Sequence, residues 1–289
     1  MKKAKISAAL TVFAALTVLC GCQPNSETVI QQETVLQHET ATQIETTAAQ
    51  APTEGTAAAP VTQAPTAYVV RNAHSDPDDV YDATGFVSVT DVIPDAVTDI
   101  RYYSGHNFVG TRINGYEEPL ALLSEETALA LKNAADDFRK AGCLIKIFDA
   151  YRPQRAVAHF ASWAEDAEDA KMKQEFYPSV DKSALFDLGY IAAYSGHSRG
   201  SKVDMTLVNA QTGEELDMGG SFDYFDESSH PSFGGVTEAQ YQNRMLLHDV
   251  MLANGFDSCA TEWWDFTLSD EPYPNTYFDF PVSSTVLTY

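Results

Sequence analysis

Basic residues are scarce in this chain: 18 Lys and Arg stand against 41 Asp and Glu, for a formal net charge of −23. So acidic a chain is repelled by nucleic acid and by anionic lipid, which excludes partners read through their phosphates. Cysteine is scarce too, with four in 289 residues. Cys143 and Cys259, the two away from the N-terminal segment, are too far apart for a zinc knuckle. Outside a cell they are expected either to form one disulfide or to remain two buried thiols. Long apolar runs are missing apart from Ile6 to Leu19, which is too short to span a bilayer comfortably and has the wrong flanks for a permanent anchor. Between Gln23 and Ala67 there is no aromatic residue, no Lys and no Arg. Such a stretch cannot bury enough apolar surface to offset the entropy of ordering it.

What is present at the N-terminus reads as an export signal. Lys2, Lys3 and Lys5 form a basic head before the apolar run, which ends in Leu19-Cys20-Gly21-Cys22. A small residue directly before a cysteine, with Leu three before it, is the pattern of bacterial lipoprotein processing. Cys22 satisfies it through Gly21, whereas Cys20 follows the bulky Leu19. The expectation is a lipoprotein signal peptide over 1–22 with lipidation at Cys22; an ordinary cleaved signal peptide is the plainer alternative. Removing Lys2, Lys3 and Lys5 makes the remainder still more acidic. The expected location is the extracellular face of the cell membrane, with the lipid anchor as the sole membrane contact.

Residues 23–75 read as a linker built of Thr, Ala, Gln, Glu and Pro. A six-residue repeat opens it, with Glu27-Thr28, Glu33-Thr34, Glu39-Thr40 and Glu45-Thr46 at equal spacing. That period matches no folded repeat. Treated as a flexible chain, its mean reach is ~35–40 Å, enough to hold a domain off a surface. His38 falls in this stretch and is expected to be solvated.

Residues 76–289 carry all three Trp and nearly all other aromatics, and are long enough to bury a full core as one domain. Val92 to Tyr103 is β-prone, and Asn114-Gly115 is a tight-turn signal. Ser124 caps a helix that runs through Leu131, Ala134, Ala135 and Phe138 to Gly142. Leu144 to Phe148 alternates as a strand. Pro153 opens a second helix through Ala156, Phe160 and Trp163. Val203 to Val208 forms a strand bearing Asp204. Thr237 and Gln240 make a capping box for a last helix, closed by Asn254-Gly255. Glu262 to Phe266 reads as a final core strand. Helices do not alternate regularly with strands, so the expected class is α+β, an antiparallel sheet core with flanking helices.

Two clusters carry chemistry. Ser195-Gly196-His197-Ser198-Arg199-Gly200-Ser201-Lys202-Val203-Asp204 sets an imidazole and a carboxylate seven residues apart, in a polar Gly-rich stretch beside a buried strand. Thr261-Glu262-Trp263-Trp264-Asp265-Phe266 sets two carboxylates among large rings, where they are costly to desolvate unless paired or bound to metal. A hydrolytic zinc takes about three protein ligands and keeps one position open. His197, Asp204 and Asp265 are the candidate ligands, with Glu262 as the free base for the attacking water. Residues three apart on a flat strand face opposite ways, so Glu262 and Asp265 can share a site only if the chain bulges or twists there. Arg152, at a strand end, suits a developing oxyanion; pairing with Asp149 is its structural alternative.

These motifs resemble the VanX-type D-alanyl-D-alanine dipeptidases, zinc peptidases of the D,D-peptidase and hedgehog-like fold. The resemblance runs from about Asp91 to Val282. It rests on Ile147-Phe148-Asp149-Ala150-Tyr151-Arg152-Pro153, the His197–Asp204 segment, Met218-Gly219-Gly220-Ser221-Phe222-Asp223, Glu262-Trp263-Trp264 and Glu271-Pro272-Tyr273-Pro274-Asn275. It implies zinc on His197 and Asp204, one ion per chain, Glu262 as base and Arg152 on the transition state. It also implies substrate contacts at Ser195 and at Asp223, the latter on the dipeptide ammonium, with Tyr102 and Tyr116 lining the pocket. The implied ligand is D-Ala-D-Ala or a close cell-wall dipeptide.

There are two departures. The family's third ligand is a histidine, where this chain has Asp265. Two carboxylates and a neutral imidazole cancel a dication's charge, so the expectation is a weaker Lewis acid that tolerates manganese or another divalent ion. On the sequence alone, Asp265→His should raise zinc affinity and activity. The second departure is the export signal. The resistance enzymes of this family act on the cytosolic dipeptide pool, which an exported protein cannot reach, so wall turnover or dipeptide scavenging is the consistent role. A dipeptide-binding lipoprotein without turnover, and a D,D- or L,D-carboxypeptidase of the wall, are the alternatives.

Overall fold

The structure, a computed structural model, describes residues 80–288. The expected signal peptide with Cys22, the linker and His38 lie outside the described residues. Among the described residues, no helix is long and apolar enough to cross a membrane.

Chain order begins with a short β1 (Phe86–Ser88), α1 (Val89–Val92) and β2 (Val97–Thr98), followed by β3 (Leu122–Ser124). Strands β1 and β3 pair antiparallel as a two-stranded sheet. Helix α2 (Glu125–Lys140) starts where Ser124 accepts from the Thr127 N–H, with Glu125 and Glu126 in the first turn and Arg139 and Lys140 in the last. Those charges complement the helix dipole at both ends. Its inward stripe is Ala128, Leu131, Ala134, Ala135 and Phe138. Leu131 and Phe138 are fully buried, and truncating either to Ala should cost ~2–5 kcal/mol.

Then come β4 (Cys143–Asp149), α3 (Gln154–Glu165), the single turn α4 (Lys173–Phe176) and β5 (Lys202–Asn209). Helix α5 (Glu238–Ala253) has the full capping box at Thr237 and Gln240. The hairpin β6 (Phe256–Ser258) and β7 (Asp265–Leu268) ends the sheet. The main sheet has the order β2-β4-β5-β7-β6. Its pairs are antiparallel except β2 with β4. That parallel pair is possible because α2 supplies the crossover between the two strands.

The expected α+β class holds, and the helices near Ser124, Pro153 and Thr237 start where their caps put them. Two expectations are corrected. Val92 to Tyr103 forms a strand only at Val97–Thr98 and then tightens into a 3₁₀ turn at Arg101–Tyr103. The last strand begins at Asp265 rather than Glu262. Cys143 and Cys259 are both free thiols.

The C-terminal segment is packed back over this frame by aromatic contacts. Phe280 stacks on Tyr151 with centroids 4.2 Å apart, and Phe278 meets Phe86 edge-on at 5.0 Å. The Tyr151 hydroxyl donates to the Phe280 carbonyl at 2.9 Å. This fixes the end of β4, where Asp149 and Arg152 leave the sheet.

Candidate metal centre

Strand pairing puts Asp149 opposite Asp204 and Asp204 opposite Asp265. Three aspartates therefore form one row across β4, β5 and β7. Like charges directly opposite each other destabilise a sheet unless cations or bound protons answer them. The ladder between β4 and β5 shifts register between Ile147 and Asp149, and this irregularity aligns Asp149 with Asp204.

His197 sits on a 3₁₀ turn, Gly196–Arg199, capped by Ser195, whose Oγ accepts from the His197 N–H at 3.3 Å. Arg199 forks onto Glu271 at 2.7 and 2.8 Å, pinning the turn to the C-terminal segment. Gly200 ends the turn at φ +76°, and a Cβ there would come within 2.3 Å of the Phe86 ring. The His197 Nδ1–H donates to the Ala150 carbonyl at 2.8 Å, because a carbonyl can only accept. This leaves the Nε2 lone pair free, 3.4 Å from Asp204 Oδ2. Burial, and then the Arg152 guanidinium, pull His197 down to about 3, so the ring is neutral and suited to coordination.

A tight turn settles how Glu262 and Asp265 share one site. The Asp265 N–H reaches back to the Glu262 carbonyl at 3.4 Å, and Trp263 and Trp264 form the middle of that turn. Trp264 is buried edge-on against Phe222, and Trp263 edge-on against Trp264. The two indoles hold the turn, so the two carboxylates flanking it enter the same cavity without a bulge in the strand.

That cavity has a volume of about 200 Å³. His197, Lys202, Asp204, Glu262 and Asp265 line it together with Tyr102, Arg152, Ser195 and Asp223. Tyr116 is absent from the lining: it is buried behind Asp149, and its hydroxyl donates to Asp149 Oδ1 at 2.6 Å. Arg152 pairs with Asp149 and also lines the cavity. Its Nε donates to Asp149 Oδ2 at 2.9 Å, its outer nitrogen is 3.5 Å from Asp204, and its guanidinium lies 4.9 Å from the Tyr102 ring centroid. Tyr102 donates to both oxygens of Asp223, at 3.0 and 3.2 Å. Asp223 is held at φ 60°, unusual for a non-glycine residue, and that backbone aims its carboxyl into the cavity.

The expected ligands do not close into a single set. His197, Asp204 and Asp149 offer ligand atoms within 4.8 Å of one another, while Asp265 groups at that distance with Glu262 and Cys259. Asp149 already has Tyr116 and Arg152 as partners and lies on the Nδ1 side of the ring. It is therefore a support for the imidazole rather than a further donor. Asp265 is held by Lys202, whose ammonium donates to Oδ2 at 2.5 Å. The sequence reading missed Lys202, although strand alternation places it on the same face as Asp204, two residues on.

The donor chemistry fits a divalent cation. Asp204 Oδ1 and Asp265 Oδ1 are buried and accept no hydrogen bond from the described residues, and His197 Nε2 is free. Orphaned carboxylate oxygens beside a neutral imidazole form an N/O donor set suited to zinc or manganese. Burial, then the charge of Asp265, raises both Asp204 and Glu262 well above the usual carboxylate range.

A family model described as Peptidase_M15, D-Ala-D-Ala dipeptidase, matches residues 82–283. Among curated proteins, the D-alanyl-D-alanine dipeptidase of Enterococcus faecalis is 40% identical over 199 residues, covering 69% of this chain and 98% of that protein. The D-alanyl-D-alanine dipeptidase of Streptomyces coelicolor is 40% identical over 198 residues, covering 68% of this chain and 98% of its own length. The one from Escherichia coli K12 is 32% identical over 187 residues, covering 65% and 86%. A solved vancomycin-resistance VanY D,D-pentapeptidase in complex with Zn(II) aligns at a TM-score of 0.32 and 11% identity, over 54% of this chain and 78% of that one.

Proposed function

The chain belongs to the Peptidase_M15 family of D-Ala-D-Ala dipeptidases, and from that membership we propose that it hydrolyses D-alanyl-D-alanine, or a close cell-wall dipeptide, in a metal-dependent reaction with Glu262 as general base. The observation that carries this reading is the cavity in which His197, Asp204, Asp265 and Glu262 meet Arg152 and Asp223.

His197 and Asp204 would hold the ion, with Asp265 as third donor. When bound, a zinc or manganese ion supplies Lewis acidity, polarising the scissile carbonyl and acidifying a water. Glu262 takes a proton from the attacking water as the new C–O bond forms. It gives that proton to the departing amine nitrogen as the C–N bond breaks, so two free amino acids leave and the carboxylate is restored. Arg152 faces the oxyanion that develops on the former carbonyl, kept in place by Asp149 and by the Tyr102 ring. Asp223, oriented by Tyr102, takes the ammonium end of the dipeptide. Ser195, which also lines the cavity, serves as a further substrate contact.

We place the domain outside the cell, lipidated at Cys22 and carried by the 23–75 linker, where it would act on dipeptide released by wall turnover.

The test is direct. The full chain is incubated with D-Ala-D-Ala and added zinc or manganese, and free D-alanine is measured. Release that is abolished by chelation and by Glu262→Gln supports the reading. Binding without release, with every metal tried, would replace it with the dipeptide-capturing alternative.

A further inference from the structure

Lys202 is the cation that the mechanism above does not use, and its placement is specific. Its ammonium donates to Asp265 Oδ2 at 2.5 Å, while Oδ1 of the same carboxylate is buried and accepts no hydrogen bond from the described residues. Its stem passes under the turn that carries His197: a Cβ on Gly196 would lie 3.1 Å from Lys202 Cε. The missing side chain at Gly196 is the space the lysine occupies. Lys202 is two residues from Asp204 on β5, and Asp204 is opposite Asp265 on β7. One side chain thus touches the segment behind His197, shares a strand face with Asp204 and bonds Asp265. The side chain of Lys202 is 21% exposed and that of Asp265 4% exposed, so the pair is poorly screened by solvent.

The charge count gives this a consequence. A neutral imidazole and two carboxylates cancel a dication completely. With the Lys202 ammonium against the second carboxylate, the same set retains one net positive charge. We propose, resting on the metal site described above, that Lys202 is a positioning residue for the ion: it holds Asp265 by Oδ2, leaves Oδ1 as a donor, and keeps the ion with its donor set net positive at the cost of looser metal binding. The ammonium repels the dication, which weakens affinity. It also withdraws electron density from the donor Asp265, which preserves Lewis acidity.

This reverses an expectation drawn from the sequence. Asp265→His on its own leaves an ammonium stranded beside the ion without its carboxylate, so it should weaken zinc binding rather than strengthen it. Removing the lysine charge as well should restore affinity.

The test uses the full chain, calorimetric titration with zinc and manganese, and the variants Lys202→Met, Asp265→His and the double substitution, with thermal melts to confirm folding. Methionine keeps the apolar stem and removes the charge. Lys202→Met should bind metal about tenfold tighter or more, yet turn over about tenfold more slowly at neutral pH, with the acid limb of the pH–rate profile moved up by about one unit. Asp265→His should bind about tenfold more weakly than wild type, and the double variant should recover that loss. A merely structural lysine would lower affinity and turnover together, which overturns the proposal. So would a wild-type chain that holds no ion while Lys202→Met does, since the ammonium then occupies the ion's place. If wild type releases D-alanine with metal but Lys202→Met behaves identically, this inference fails and the proposed function stands. If no variant releases D-alanine with any metal, the proposed function itself fails.

Discussion

Asp204 and Asp265 face each other across an antiparallel strand pair, each with one buried oxygen that accepts no hydrogen bond from the described residues. Such a pairing is unfavourable for the bare sheet. Arg152 and Lys202 answer the Oδ2 atoms of Asp204 and Asp265, and the Oδ1 atoms are left to accept a cation. A divalent ion should therefore raise the unfolding midpoint of the full chain. By linkage, metal at 100 times its dissociation constant adds ~2.7 kcal/mol. Urea denaturation with and without zinc checks this; no shift would mean that the row binds no ion.

Glu262→Gln keeps the shape of the side chain and removes its proton acceptor. Turnover of D-Ala-D-Ala should fall ~10²–10⁴-fold, the usual range for a general base, while calorimetric affinity for the dipeptide stays within a few-fold. A large loss of binding would instead make Glu262 a substrate anchor.

Arg152→Ala removes the guanidinium paired with a fully buried carboxylate, Asp149, and leaves it the Tyr116 hydroxyl. Stability should drop by ~3–5 kcal/mol, as when one member of a buried ion pair is deleted. Arg152→Lys keeps the charge but cannot reach Asp149 and the cavity together. It should fold and lose ~10²–10³ in kcat with a smaller change in KM. Equal effects on both constants would argue against a role confined to the transition state.

Asp223 tests the substrate assignment through pH. Burial, then the negative charge of Asp204, pushes its carboxyl up to about 8 in the metal-free protein. At pH 7 the group is protonated, so binding a dipeptide ammonium should release close to one proton. Calorimetry in two buffers of different ionisation enthalpy measures this, and Asp223→Asn should release none. The stability effect has a definite sign. With a folded-state pKa above its unfolded value, this group binds more protons in the native state. Its contribution to stability therefore falls as pH rises from about 4 to about 8, the ordinary and raised carboxylate values. Asp223→Asn should flatten that part of the urea-derived stability curve.

Gly200→Ala probes the turn that presents His197. The backbone is at φ +76° and the new Cβ would meet the Phe86 ring at 2.3 Å, so both strain and overlap oppose it. Stability should fall by ~1–3 kcal/mol, with metal affinity falling too as the imidazole is displaced. A variant with native metal affinity would show that the turn tolerates the shift.

The sequence made the periodic elements and their caps legible because those signals are local. Ser124, Pro153 and the Thr237–Gln240 box each act within one helical turn. The same locality misplaced the last strand. Glu262 to Phe266 has the apolar content of a strand, but two tryptophans packed against Phe222 and each other bend it into a turn first. Val92 to Tyr103 failed similarly: its β-branched residues find a strand partner at Val97–Thr98 and nowhere else in that stretch.

Residue types and order alone determined the candidate donors, the candidate base and the family, since coordination chemistry constrains which side chains can serve. Tertiary structure decided how they meet. It placed Asp149, Asp204 and Asp265 in one row, withdrew Tyr116 behind Asp149, and bound Asp265 to Lys202. Those outcomes depend on strand register and on charge balance between segments distant in the chain, and no local pattern in the chain encodes either.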